Sequence, residues 1–89
     1  MKLSIIIVNY NTGALTKACI ESVLAQNISF PYEIIVVDNA SKDLSVSFLR
    51  SDFPEITVLK NDDNLGLAGG VNRGLEKAQG KYQLILNPD

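Results

Sequence analysis

Glu33-Ile34-Ile35-Val36-Val37-Asp38-Asn39-Ala40-Ser41 is the stretch from which the rest of the chain is read. Four consecutive β-branched residues with no polar position among them predict a strand over Glu33–Val37 that is covered on both faces, because a half-exposed strand alternates apolar with polar residues. Toward the amino terminus, Leu3–Val8 has the same character and predicts a second two-faced strand. Toward the carboxyl terminus, Ile56–Lys60 and Tyr82–Leu86 are weaker runs, preceded by the turn-forming Pro54 and Gly80.

Helical spacing fills the intervals. From Thr12 to Gln26, Leu15, Ala18, Cys19, Ser22 and Val23 form one stripe widened by Ile20 and Leu24, with Asn11 or Thr12 as the cap. From Ser41 to about Asp52, Ser41 is the expected N-cap, Asp43 suits the positive helix start, and Val46, Leu49 and Phe53 carry the apolar face. From Gly66 to Gln79, the inward positions are Ala68, Val71, Leu75 and Ala78, and Gly80 is expected to take the left-handed position after the helix. Strand–helix–strand repetition with two-faced strands predicts an α/β fold, a parallel sheet of about four strands flanked by three helices.

The 89 residues, 46% hydrophobic and 20% charged, suffice for one small core and a single domain. Eight basic against ten acidic residues give a net charge of -2, so there is no excess positive field to hold nucleic acid or anionic lipid. The longest apolar run, Ile5–Val8, is far below a membrane span, no signal peptide leads into it, and the expected compartment is the cytoplasm. One cysteine, Cys19, and no histidine exclude an internal disulfide, a His/Cys zinc site and a Ser-His-Asp triad, so any metal must sit on oxygen ligands.

Open parallel sheets bind ligands beyond the carboxyl ends of their strands. Those ends read Asn9-Tyr10-Asn11, Asp38-Asn39-Ala40-Ser41, Asn61-Asp62-Asp63-Asn64 and Asn87-Pro88-Asp89, a rim of polar groups suited to base and sugar edges. Tyr10 offers a ring face to a planar base, or is a half-buried tyrosine at a strand end. Asp38 supplies an acceptor for an imino N–H or ribose hydroxyls, or is a turn aspartate, whereas Asn39 and Ser41 read as turn and cap residues. Asn64-Leu65-Gly66-Leu67-Ala68-Gly69-Gly70 allows close backbone approach to a ligand or tight helix–sheet packing, and lacks the Gly-Lys-Ser/Thr of a phosphate loop. Asn72 and Arg73 follow one turn later, Arg73 reaching either a ligand or Glu76. Asp89 is a hard oxygen ligand for Mg2+ or Mn2+ held against a diphosphate, or an exposed terminal residue.

Four segments in this order, Ser4–Asn11, Glu33–Ser41, Asn64–Gly74 and Leu86–Asp89, resemble family 2 glycosyltransferases of the GT-A fold, over essentially the whole chain. The Asn-Pro-Asp ending is similar to the rhamnosyltransferase-like branch. The resemblance implies a Rossmann-like nucleotide-binding half with sheet order 3-2-1-4 and a donor crevice between Asn9–Tyr10 and Asn87–Asp89. It implies donor contacts from Asn9, Tyr10, Asp38, Asn64, Gly66, Asn72 and Arg73, with Tyr10 stacking on the base and Asp38 bonding its ring. Asp89 matches the last acid of the Asp-X-Asp metal motif, and Asn87 stands where its first acid would be.

The implied reaction is inverting transfer of a sugar from a nucleoside-diphosphate donor to an acceptor hydroxyl on a glycan or lipid-linked sugar, in polysaccharide or cell-surface glycan synthesis. The family carries its catalytic base downstream of the metal motif, and no residue here occupies that place. Residues 1–89 therefore read as one partial domain, the donor-binding half, inactive alone, reaching the inner face of the membrane only through other parts, and open to self-association along its fourth strand. Two other classes fit less well. A dinucleotide-dependent oxidoreductase requires Gly-x-Gly-x-x-Gly after the first strand, where this chain has Asn9-Tyr10-Asn11-Thr12-Gly13. A non-catalytic α/β nucleotide-binding or signalling module of the flavodoxin-like kind normally carries carboxylates at the first strand end, where Asn9 and Asn11 are amides.

Overall fold

The computed structural model describes residues 1–88. Strands β1 (Leu3–Asn9), β2 (Tyr32–Asp38), β3 (Thr57–Lys60) and β4 (Tyr82–Leu86) alternate with helices α1 (Gly13–Leu24), α2 (Ser45–Asp52) and α3 (Gly66–Lys77). The sheet is parallel throughout, in the order β3-β2-β1-β4. β1 and β2 are thus the interior strands, as their unbroken apolar runs require.

Register explains why those runs do not alternate. Ile5 and Ile7, beside Ile34 and Val36, share a buried cluster with Ile20 and Val23 of α1 and Leu49 of α2. Ile6 and Val37 point to the opposite face, against α3. Each strand therefore needs an apolar side chain at every position, and the sequence supplies one.

The helices differ in detail from their predicted form. α1 buries Gly13, Thr16, Ile20 and Val23, while Leu15 and Leu24 are exposed. Thr16 takes an inward position because its hydroxyl donates to Asn9 Oδ1 at 2.7 Å, so a polar residue is satisfied where an apolar one was expected. α2 starts at Ser45 rather than Ser41, because Ser41 donates its hydroxyl to Asp38 Oδ1 and caps nothing. Asp43 stands instead at the junction of two helices, accepting from Ser45 N, Ser45 Oγ and Gly13 N.

α3 departs furthest from its predicted inner face. Ala68 and Leu75 are exposed, and the helix meets the sheet through Gly70 and Gly74. A Cβ at Gly70 would lie 2.8 Å from Val8 Cγ1, and one at Gly74 would lie 2.6 Å from Ile6 Cγ2. The helix sits so close to the sheet that only glycine fits. Gly80 likewise does not adopt the left-handed conformation; it passes against β1, its N–H donating to Ser4 Oγ at 2.8 Å, where a Cβ would meet Ser4 N at 2.5 Å. Glu33 completes this amino-side clasp by accepting from Ser4 Oγ and Gln79 N.

Candidate functional site

Sheet order sets the location of the site. The chain leaves β1 toward β2 on one side, and β4 lies on the other, so connections diverge above the carboxyl ends of β1 and β4 and leave a crevice there. A cleft of about 260 Å3 occupies that position, walled by Tyr10 and Thr12 after β1, Asn39 after β2, Asn64, Gly66 and Leu67 at the start of α3, and Asn87 and Pro88 after β4. Segments that follow all four strands thus meet in one site. The amino end of α3, with its partial positive charge, borders the cleft, an arrangement that favours an anionic ligand.

Tyr10 is 43% exposed and lines the cleft. Gly66 is at φ +73, a left-handed conformation that disfavours any side chain, although a Cβ there would meet nothing within 4 Å. Its N–H donates to Asn64 Oδ1 at 2.8 Å, so Asn64 shapes the turn that opens α3.

The structure sets Asn9 and Asp38 one layer behind the cleft. Both are fully buried. Asp38 Oδ1 accepts from Asn9 Nδ2 at 2.7 Å and from Ser41 Oγ at 2.6 Å, and its Oδ2 accepts from Ser41 N at 3.0 Å. Asn9 Oδ1 accepts from Thr12 Oγ1 and Thr16 Oγ1. A buried carboxylate with this many donors is compensated, and these bonds tie the ends of β1 and β2 together. Asn11, at φ 51, extends the tie: Ser41 Oγ accepts from its N–H, and its Oδ1 accepts from Lys42 N. Neither Asn11 nor Thr12 makes a side-chain cap to α1.

Asn39, read from the sequence as a turn residue, lines the cleft. Strand alternation is the signal that could have found it, since successive side chains at a strand end point to opposite faces and Asp38 already points into the α1 side. Asn39 Nδ2 donates to Gly66 O at 2.9 Å, and its Oδ1 accepts from Asn61 Nδ2 at 2.8 Å. Arg73 Nη1 donates to Asn61 Oδ1, so Arg73 pairs neither with Glu76 nor across the cleft but braces the β3–α3 connection. Asn72 is exposed on α3 and outside the cleft wall. Among the described residues, no buried side-chain nitrogen or oxygen lacks a hydrogen-bond partner.

Two titrations follow from this geometry. Burial raises the Asp43 carboxyl, but the hydrogen bonds from Ser45 Oγ, Ser45 N and Gly13 N outweigh it and hold the group below its ordinary carboxylate value. Burial pushes the Cys19 thiol up, which makes it a poor nucleophile. Among the described residues, no cluster of three His, Cys, Asp or Glu side chains could cage a metal ion. Asp89, singled out as a metal ligand, lies outside the described residues. Asn87 brings an amide group to the cleft wall, whose oxygen is of the hard type that Mg2+ and Mn2+ take.

Comparison with known proteins gives a consistent picture. The sequence model described as Glycosyl transferase family 2 matches residues 4–89. An uncharacterized glycosyltransferase of Haemophilus influenzae is 39% identical over 87 residues, spanning 98% of this chain and 29% of that protein. Among solved structures, Staphylococcus aureus TarS 1-349 in complex with UDP superposes with a TM-score of 0.89 at 26% identity, covering 100% of this chain and 28% of TarS. The Pyrobaculum calidifontis mannosyltransferase PcManGT, in complex with GDP-Man and Mn2+, superposes with a TM-score of 0.88 at 26% identity, over 99% of this chain and 27% of that one. The chain thus spans less than a third of the length of each.

Proposed function

The chain belongs to glycosyl transferase family 2, and from that membership we propose that it forms the donor-binding region of an inverting sugar transferase, with a nucleoside-diphosphate sugar seated in the cleft between β1 and β4. The observation that carries this reading is the convergence of Tyr10, Asn39, Gly66 and Asn87 from four separate connections on one crevice, bordered by a helix amino end. A planar base suits the exposed ring of Tyr10, and a diphosphate suits the positive end of α3. The relatives seen with UDP and with GDP-Man support a nucleotide ligand.

In this reading Tyr10, Asn39, Asn64 and Gly66 contact the nucleotide, and Asn9 and Asp38 hold the wall that presents them. Arg73 acts through Asn61, which it orients. Asn87 and Asp89 are the groups offered to a divalent cation, Mg2+ or Mn2+, which would neutralise the diphosphate leaving group when bound. The described cleft wall contains no carboxylate; the proton of the acceptor hydroxyl must go to a base elsewhere in the active enzyme. The acceptor is a hydroxyl of a glycan or lipid-linked sugar in cell-surface polysaccharide synthesis, and the site of action is the cytoplasm or the inner membrane face.

Amide-resolved NMR titration with UDP, dTDP and GDP, each with and without Mn2+-free Mg2+, tests the proposal. Saturable shifts centred on Tyr10, Asn39 and Gly66 are expected. No saturable shift with any of the three, or shifts confined to residues outside the cleft, would overturn it. NAD is included because binding of NAD with none of the three would favour the dinucleotide class instead.

A further inference from the structure

A second groove, of about 650 Å3, runs along α2 from Ser41 to the end of β3 and shares no lining residue with the cleft. Its wall includes Ser47, Arg50 and Ser51, one helical turn apart on α2, together with Lys60 at the carboxyl end of β3. Lys60 pairs in register with Asp38 and so points to the α2 side of the sheet. The sole ion pair among the described residues is Lys17–Asp52, which leaves Arg50 and Lys60 as two cations without a carboxylate partner facing one cavity. Arg50 Nη2 donates to Val58 O at 3.3 Å, a bond that anchors the guanidinium yet uses one of its five donors. The acid in the wall, Asp43, accepts hydrogen bonds from Ser45 and Gly13 at the start of α2.

We propose that this groove is a second anion site, independent of the donor cleft, that takes a phosphate group between Arg50 and Lys60 with the Ser47 and Ser51 hydroxyls as further donors. A tetrahedral phosphate accepts from several directions at once, which matches a forked guanidinium, a mobile ammonium and two hydroxyls better than a planar carboxylate does. The phosphate belongs either to a soluble phosphate ester or to an anionic lipid headgroup. The same groove carries Val46 and Leu44, the latter 78% exposed, an apolar border of the kind a lipid would cover.

The test is an amide-resolved NMR titration of the 89-residue chain with inorganic phosphate at constant ionic strength. Saturable shifts at Ser47, Ser51 and Lys60 are expected, with the dissociation constant raised about tenfold in Lys60→Ala. Arg50→Lys keeps the charge and removes the fork, and is expected to weaken phosphate more than chloride. Affinity for UDP at Tyr10 and Gly66 stays unchanged in both variants, which separates this site from the cleft. Pelleting with phosphatidic acid vesicles but not phosphatidylcholine vesicles, lost in Lys60→Ala, identifies a lipid source; saturable phosphate binding without pelleting identifies a soluble ester. Shifts that follow ionic strength alone, or that persist unchanged in Lys60→Ala, would refute the proposal.

Discussion

Tyr10 and Asp38 both sit at strand ends, yet one faces the cleft and the other the interior. Removing the exposed ring in Tyr10→Ala is expected to weaken nucleoside-diphosphate binding by about tenfold, the worth of roughly one base–aromatic stack, while Tyr10→Phe retains the ring and most of the affinity. Calorimetry on both variants checks this, and equal losses would show that the hydroxyl rather than the ring is at work. Asp38→Asn is expected to act on stability. Its new NH2 group must oppose one of the donors now bonded to Asp38, either Ser41 N or Asn9 Nδ2, leaving a buried donor unpaired at a cost of about 1.5–3 kcal/mol. Urea denaturation reads that cost; an unchanged midpoint with lost nucleotide affinity would return Asp38 to direct ligand contact. The sequence marked Asp38 correctly as unusual, a carboxylate ending the most apolar strand, but burial and the saturation of both its oxygens depend on Asn9 and Ser41, which lie about thirty residues apart in sequence and meet only in the fold.

Among the elements, α3 is the one whose seating depends on absent side chains. Gly74→Ala gains about 1 kcal/mol in helix propensity but forces a methyl against Ile6, and overpacking of this kind costs about 1–3 kcal/mol. A lower melting temperature is therefore expected, and a higher one would show that α3 stands off the sheet. The starts of α1 and α2 share a different constraint, the Asp43 carboxylate. Its pKa is lowered in the folded chain, so its contribution is fully present above the unfolded value of 3.8 and disappears as pH falls through the lower folded value. Acid unfolding of Asp43→Asn is expected to show a shallower pH dependence below about pH 4 than the parent chain. Identical slopes would mean that the bonds to Ser45 and Gly13 carry no linkage. The α2 boundary was misread for the same reason: Ser41 has the composition of a cap, and the competing acceptor that draws it away is on another strand.

At the scale of the molecule, β4 pairs only with β1 among the described residues, and Tyr82, Leu84 and Ile85 are all about half exposed. Leu84 pairs with Ile5 and Ile85 with Ile6, so apolar side chains emerge on both faces of an open sheet edge. Such an edge pairs with whatever strand it meets, and the 89-residue chain is expected to self-associate with rising concentration. Sedimentation velocity checks this, with Leu84→Lys expected to shift the distribution toward monomer; a strict monomer at millimolar concentration would count against it.

The sequence by itself determined the class of fold, the strand positions and the rim on which the cleft lies, because covalent order and apolar periodicity are local properties that survive any change of neighbour. Two-faced strands allow a parallel sheet and little else, and a parallel sheet places every βα connection on one side. Only the tertiary structure decided which polar groups at that rim face the cleft. Asp38 and Asn39 are adjacent in sequence and nearly alike in size, and the pleat sends one to a closed hydrogen-bond network and the other to the cleft wall. The inner face of α3 was hidden for a related reason. A helix buries its most apolar stripe only when there is room for side chains, and at a backbone separation this small the buried stripe is the one with none, which hydropathy does not register.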